Sequence, residues 1–444
     1  MRLRAAAASL VLLALWLLTH PWEGLWHDAR LYAVQALRRL APAQFAGDLF
    51  FLYGSQDAFT LFSPLYAAAI QAMGLERAAV LLQGMGSLLW VGGAAFLLAA
   101  FLRGLPLWLG LALVMALPAD YGPLPAMFQI GEPFLTPRLF AEALGMLAMR
   151  YALRGRWLPA ALALLLAAAM HPLMAAGVAL FCLLCLAEGR RRAMLLALLL
   201  AGSAAVLALA WRGIAPFSRL LLAMDDAWFA QVVAMTPVVT WDGWRLAEWG
   251  GRAAQAFSLV GVAAVLASGT AARLFRGAAL AAALGLLATW AGTGLLHNQL
   301  LMQAQPWRAW WLLQLATAPA LVWLWRAYWP RGRVFRLLLL ALCVAILTRN
   351  SFGGPLAMLA AALLWQQARC AQPFELAPRA YRLALGLLAV LTLGVAREIE
   401  GGPALTGIFL PDVPLASGDT LWLFIWLKRG VADGNRGPQR RQAA

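Results

Sequence analysis

Residues 1–40 read MRLRAAAASLVLLALWLLTHPWEGLWHDARLYAVQALRRL. Arg2 and Arg4 precede an apolar run to Leu18 that has the composition of a membrane span. Thr19-His20-Pro21-Trp22 follow it in place of a small-x-small cleavage site, so the run reads as an uncleaved first span and not as a removed signal peptide. Trp22 and Trp26 then supply amphipathic rings suited to a water–lipid boundary. From Asp28 to about Leu40 the spacing predicts a helix. Asp28, Tyr32, Gln35 and Arg39 share one of its faces, while Leu31, Val34 and Leu37 form an apolar side. Such a helix can lie along a membrane surface.

The rest of the chain repeats the chemistry of that first run. Of its 444 residues, 63% are hydrophobic and 12% charged, against roughly a quarter charged in a soluble domain. Apolar runs recur at 5–19, 78–102, 105–118, 137–153, 157–171, 172–187, 193–211, 253–272, 277–296, 309–326, 335–348, 353–368 and 381–396. Runs this long and unbroken do not suit barrel strands, and backbone inside lipid must satisfy its own hydrogen bonds. The expected fold is an all-α polytopic membrane protein with about 11–13 transmembrane helices. Its parts are a first transmembrane helix at 1–19, an outer loop with interfacial helices at 20–77 and a bundle at 78–396 with outer loops 119–136 and 212–252. A short tail follows at 397–444.

The net charge of +16 is a topology signal and excludes no membrane reading; nucleic acid is not an expected partner. With the N-terminus in the cytoplasm, 18 arginines fall in very short inner connections, 12 lie on the outer side when Arg397 is counted there, and the remaining 5 basic residues lie in the tail at 428–441. Of 19 acids, only Glu188 and Glu375 fall inside, and all four histidines (His20, His27, His171, His297) fall outside. Chemistry is therefore expected on the outer face. High alanine and arginine content with a single lysine, Lys428, points to a GC-rich bacterial genome and so to an inner, or plasma, membrane. Cys182, Cys185, Cys343 and Cys370 read as packing residues.

Several outer-face residues carry candidate chemistry. Asp28, just past the first span, can take a proton from an acceptor hydroxyl while a lipid-linked donor lies beside it in the bilayer; equally, it can serve only as a helix N-terminal acid. Glu132 and Arg138 flank Thr136-Pro137, a cap and first turn. Arg138 either pairs with Glu142, four residues on, or holds a phosphate with its planar fork. His171 sits at an outer turn before Pro172, where it caps the turn or binds a phosphate or metal. His297-Asn298-Gln299, Gln303, Gln305 and Arg308 form the densest polar cluster, beside Trp307, Trp310 and Trp311. Amides and indoles suit a sugar, though an interfacial aromatic belt explains the tryptophans as well. Asp225-Asp226 is a weak signal for a divalent-cation cofactor, and a solvated loop explains the pair better. Walker A, G-x-S-x-G and H-E-x-x-H sequences are absent, which argues against a nucleotide-driven pump.

The acid after span one, the surface helix from Asp28, the span count and the arginines and histidines at span mouths together resemble the GT-C fold glycosyltransferases. The resemblance covers the architecture of most of the chain, on a short motif: His27-Asp28 is similar in placement to that family's first-loop catalytic Asp. Many members carry a paired Asp-Glu or Asp-x-Asp there, where this chain has Ala29-Arg30. It implies a polyprenyl-phosphate-linked sugar as donor, Asp28 as general base, and Arg138 and Arg308 neutralising the phosphate. His171 and His297 would orient phosphate or acceptor, and Tyr32, Glu132 and Gln303 would complete the binding site. Expected partners are that donor and membrane lipids. A transporter or flippase of a lipid-linked or anionic substrate, and a polysaccharide polymerase or ligase, remain the alternatives.

Overall fold

The computed structural model describes residues 2–52, 56–117, 120–123, 128–187, 192–244, 246–348 and 353–399. Among them the chain is helical, and extended pairing is confined to two bridges, Asp120–Gln129 and Ala223–Asn298. The tail from residue 400 lies outside the described residues.

Helix α1 (Arg2–Thr19) is the apolar run that opens the sequence. After the Trp22–Trp26 turn come α2 (Asp28–Leu40), α3 (Leu49–Leu52) and α4 (Phe62–Met73). The predicted face of α2 is the one that turns inward: Tyr32, Ala33 and Ala36 pack on Phe62, Tyr66 and Ile70 of α4. Ser63 Oγ donates to Gln35 Oε1, and Arg39 pairs with Asp57 at 3.0 Å. Leu31, Val34 and Leu37 are half-buried, and of these Leu37 packs against the same cluster. Gly74, at φ +82°, turns the chain directly into α5 (Leu75–Leu98).

The bundle continues through α6 (Leu105–Ala116), α7 (Pro137–Leu153), α8 (Trp157–Met170), α9 (Pro172–Ala187) and α10 (Arg192–Trp211). Then follow α11 (Asp226–Met235), α12 (Leu246–Leu266), α13 (Gly269–Thr289), α14 (Gln299–Ala304), α15 (Trp310–Tyr328), α16 (Arg333–Leu347), α17 (Gly353–Arg369) and α18 (Pro378–Ile399). Helix α7 is the axis of the fold, with Leu139, Ala143, Met146 and Met149 all buried. It approaches α5 so closely that a Cβ on Gly86 would lie 2.7 Å from Leu139 and one on Gly93 would lie 3.0 Å from the Ala143 carbonyl. Glycine is what lets these two backbones meet, the small-residue contact expected between helices in lipid.

Three helical stretches, Leu75–Leu98, Ala193–Trp211 and Gly269–Leu295, are long and apolar enough to cross a membrane. The outside of the bundle is also apolar, with Leu88, Leu158, Leu165 and Leu383 each 65–76% exposed. An all-helical membrane-protein architecture follows from both observations.

Two expectations are corrected. The runs at 253–272 and 277–296 do not divide at Arg273–Arg276; the break falls at 267–268, where Ser268 is extended and Gly269 takes φ +60°. Arg273 and Arg276 thus lie within α13, where Arg276 Nε donates to Ala272 O. Trp307, Trp310 and Trp311 form no surface belt, being 0%, 2% and 1% exposed. Trp307 packs edge-to-face on Trp244 at 6.2 Å and Trp310 on Trp249 at 5.5 Å, while Trp311 Nε1 donates to Met174 O at 3.3 Å.

Candidate functional site

The charged cluster forms where the first turn of α2, the entry of α7, the end of α8 and the entry of α15 meet. The loop before α7 builds its floor. Gly122, at φ +112°, lies against Trp307 closer than any side chain would permit, and Tyr121 N donates to Phe128 O at 2.8 Å. The segment at 130–132 is then pinned from two helices. Gln83 Nε2 of α5 donates to Glu132 O at 2.8 Å, and Gly131 N donates to Glu142 Oε2 at 3.0 Å. Trp90 Nε1 donates to the same Glu142 oxygen at 2.7 Å.

Glu132 held in this way meets Arg138. Arg138 Nε donates to Glu132 Oε1 at 2.9 Å, Nη2 lies 2.7 Å from the same oxygen, and Nη1 donates to Asp28 Oδ2 at 2.7 Å. Thr136 Oγ1 donates to the other Glu132 oxygen. One buried guanidinium therefore holds two carboxylates that approach from the loop and from α2. Arg138 does not pair with Glu142, because the i, i+4 arrangement only makes helix neighbours. Glu142 is taken up by Gly131 and Trp90, while Asp28 and Glu132 converge on the arginine.

Asp28 is the accessible member of the group, 29% exposed against 2% for Arg138 and Glu132. Burial alone would raise its carboxyl, but the hydrogen bond from His27 and the charge of Arg138 outweigh it and hold the group well below the usual carboxylate range. His27 Nδ1 stands 3.2 Å from Asp28 Oδ1, and this hydrogen bond raises the imidazole above its ordinary value. Its backbone lies at φ +48°, which few side-chain-bearing residues adopt. Tyr32, one turn into α2, is pushed up to about 12 by burial.

Arg308 completes the cluster from the other side. Its guanidinium lies 4.6 Å from the Phe128 ring centre, over the ring whose centre is 5.5 Å from Arg138. Gln305, strained at φ +46°, accepts from Arg308 Nε at 2.6 Å. Arg308 is 7% exposed, its Nη1 has no hydrogen-bond partner, and among the described residues no carboxylate pairs with it. Burial pushes its guanidinium down, though an arginine remains protonated. His171, buried at the turn between α8 and α9, accepts from Met174 N at its Nδ1, which leaves Nε2 to carry the proton in the neutral ring. The charges of Arg308, Arg138 and Asp28 all act on it.

Of the residues expected from sequence, Asp28, Glu132 and Arg138 are bonded together, Arg308 joins them across Phe128, and Tyr32 and His171 lie within their field. His297 and Gln303 do not join them. His297 stacks on Phe229 at 3.7 Å, and its carbonyl accepts from Met224 N. Exposed Gln303 accepts from Arg219. The amides of this loop hold the 217–224 segment instead: Asn298 Nδ2 donates to Leu220 O at 2.8 Å. Asp225 N-caps α11 by accepting from Trp228 N at 2.8 Å, and among the described residues no three His, Cys, Asp or Glu side chains are grouped to hold a metal.

Phe128 and the positioning roles of Gln83 and Glu142 were not expected. Nothing local marks an apolar residue in a loop as a shared cation platform, whereas Gly131-Glu132-Pro133 before an arginine-bearing helix entrance is a visible sign that the loop is constrained. No protein-family model, no curated protein and no solved structure matches the chain.

Proposed function

We propose that this protein is a membrane glycosyltransferase of about thirteen spans, moving a sugar from a polyprenyl-phosphate carrier to an acceptor hydroxyl on the outer face of a bacterial inner membrane. The observation that carries the reading is the contrast between two arginines a single phenyl ring apart. Arg138 is neutralised by Glu132 and Asp28, while Arg308 is buried with no carboxylate paired to it among the described residues. Keeping an unpaired cation inside a protein costs stability unless an anion completes it. A phosphate leaving group would supply that anion, with Gln305 orienting the guanidinium and His171 Nε2–H as a neutral donor nearby.

In this scheme the acceptor oxygen forms its bond to the anomeric carbon and its proton passes to Asp28. The bond from that carbon to the phosphate oxygen breaks, and the electron pair leaves on the phosphate against Arg308. Asp28 is ionised at physiological pH, so it is in the proton-accepting form, but its low basicity limits the gain from proton transfer. Arg138 acts as the positioning residue that keeps the carboxylate at the mouth of the cluster. Sugar transfer from a polyprenyl-phosphate donor in isolated membranes should fall about 10²–10⁴-fold in Asp28→Asn, the range of a lost general base. Full activity in that variant would remove Asp28 from the mechanism, and a reporter fusion that puts segment 20–77 in the cytoplasm would overturn the topology.

The fully buried Glu142 favours a second reading, a transporter of a lipid-linked substrate, because an ionisable group within a helix bundle often marks a translocation path. Uptake or flipping that persists in Asp28→Asn and is lost in Glu142→Gln would decide for it.

A further inference from the structure

A groove of about 530 Å³ opens on the bundle between α6, α15 and α16, well away from the charged cluster. Leu109 and Leu113 of α6, Leu321 and Val322 of α15, and Ile346 of α16 form its walls. It exists because α6 is short. Twelve residues make a helix of about 18 Å, which cannot cover the roughly 30 Å hydrocarbon core that its neighbours line. From Pro106 to Leu117 the groove follows about 16 Å of α6, close to the depth of a single leaflet.

Its two ends differ in charge. At the Leu117 end the wall is wholly apolar, with Ile346 and Leu347 opposite. At the Pro106 end stands Arg326, the one charged residue that lines the groove among the described residues, next to Trp325, Trp329 and Pro330. Trp325 and Trp329 stack at 4.2 Å, Arg336 Nε donates to Trp329 O at 3.1 Å, and the Arg331 guanidinium lies 4.4 Å from the Tyr328 ring centre. Three arginines and two indoles therefore crowd one rim, with the Glu375 carboxylate further round beside Gly332. Indoles at headgroup level and arginines on the inner side are what an anionic leaflet attracts, and basic pockets between helices seat acidic headgroups.

We propose that this groove is a binding site for an anionic phospholipid of the arginine-rich leaflet, one acyl chain lying along α6 and the headgroup phosphate at Arg326. The site does not depend on the transferase reading: the charged cluster lies at the opposite end of the bundle and would draw its lipid from the other leaflet. The one-leaflet depth and the apolar far end favour a phospholipid over a long polyprenyl carrier, whose phosphate would have no cation at Leu117.

The test is native mass spectrometry of the purified full-length protein, titrated with phosphatidylglycerol or phosphatidylcholine of identical chains. The wild type should retain phosphatidylglycerol preferentially. Arg326→Ala should lower that preference about fivefold, the share of one arginine near a phosphate surface. Leu113→Trp, which fills the groove, should displace both lipids; Val322→Trp serves the same end should the first variant fail to fold. Equal retention of the two lipids by the wild type, or an Arg326→Ala profile identical to it, would overturn the proposal. So would displacement of phosphatidylglycerol by a polyprenyl phosphate, or a lipid-free dimer that buries the groove. Sugar transfer in Asp28→Asn is scored separately, so either idea can fail alone.

Discussion

Replacing Arg138 with methionine removes the cation on which Glu132 and Asp28 both rest. The side chains of Arg138 and Glu132 are each 2% exposed, and the arginine makes contacts of 2.7–2.9 Å to Glu132 Oε1. Without it, the buried Glu132 carboxylate keeps, among the described residues, only the Thr136 hydroxyl as a side-chain donor. Leaving one partner of a buried ion pair behind costs about 3–5 kcal/mol. Asp28 adds little to that figure, because its 29% exposure lets solvent screen the lost contact. Removing both charges should be milder: Arg138→Met with Glu132→Leu leaves no orphaned ion and is expected to recover more than half of the loss. The assay is a double-mutant cycle on the protein in mixed micelles, unfolded by rising anionic detergent and followed by circular dichroism. A single variant within about 1 kcal/mol of wild type, as for a surface pair, would refute the reasoning. So would a double variant as unstable as the sum of the singles.

Arg308→Met should leave thermal stability unchanged or raise it, since a buried cation without a carboxylate is lost, while sugar transfer or phosphate binding disappears; a lower melting temperature in calorimetry would show that the charge is structurally compensated. The His27–Asp28 contact predicts a signed pH dependence. His27 is raised above 6.5, so its contribution is complete below that value and is lost as pH rises through the raised one. Asp28 is lowered, so its share is present above 3.8 and is lost only as pH falls through its depressed value. The melting temperature should therefore drop between mildly acidic and mildly alkaline buffer, and Asp28→Asn should flatten that slope; an unchanged slope would exclude His27 as its source. Gly131→Ala should cost about 1–3 kcal/mol, because φ is +67° and the new Cβ would lie 3.0 Å from Trp16. The same melting series checks it.

Much of this protein is written locally. Helix positions follow from apolar runs long enough to exclude other structure in lipid, and so α7, α8 and α15 appear within a residue or two of the expected places. The orientation of α2 follows as well, because Asp28, Tyr32 and Gln35 are one face of any helix through them. Where a run has no strong punctuation the boundary slips: a Ser-Gly pair, and not the paired arginines, separates α12 from α13. Arginine stems can ride on a helix, whereas Gly269 at positive φ breaks one.

Which polar residues meet is a different kind of fact. Asp28 and Arg138 are 110 residues apart, and nothing in either neighbourhood specifies that contact. It depends on the glycine-lined approach of α5 to α7 and on Gln83 and Glu142 holding the loop between them. The choice of Glu132 over Glu142 as the partner of Arg138, and the exclusion of His297 and Gln303 from the cluster, were likewise decided by packing. By itself the sequence determined an apolar helical protein, because hydrophobicity acts residue by residue. Only the tertiary structure decided that one arginine is neutralised and the other buried without a paired carboxylate among the described residues, because ion pairing depends on distances that no single segment controls.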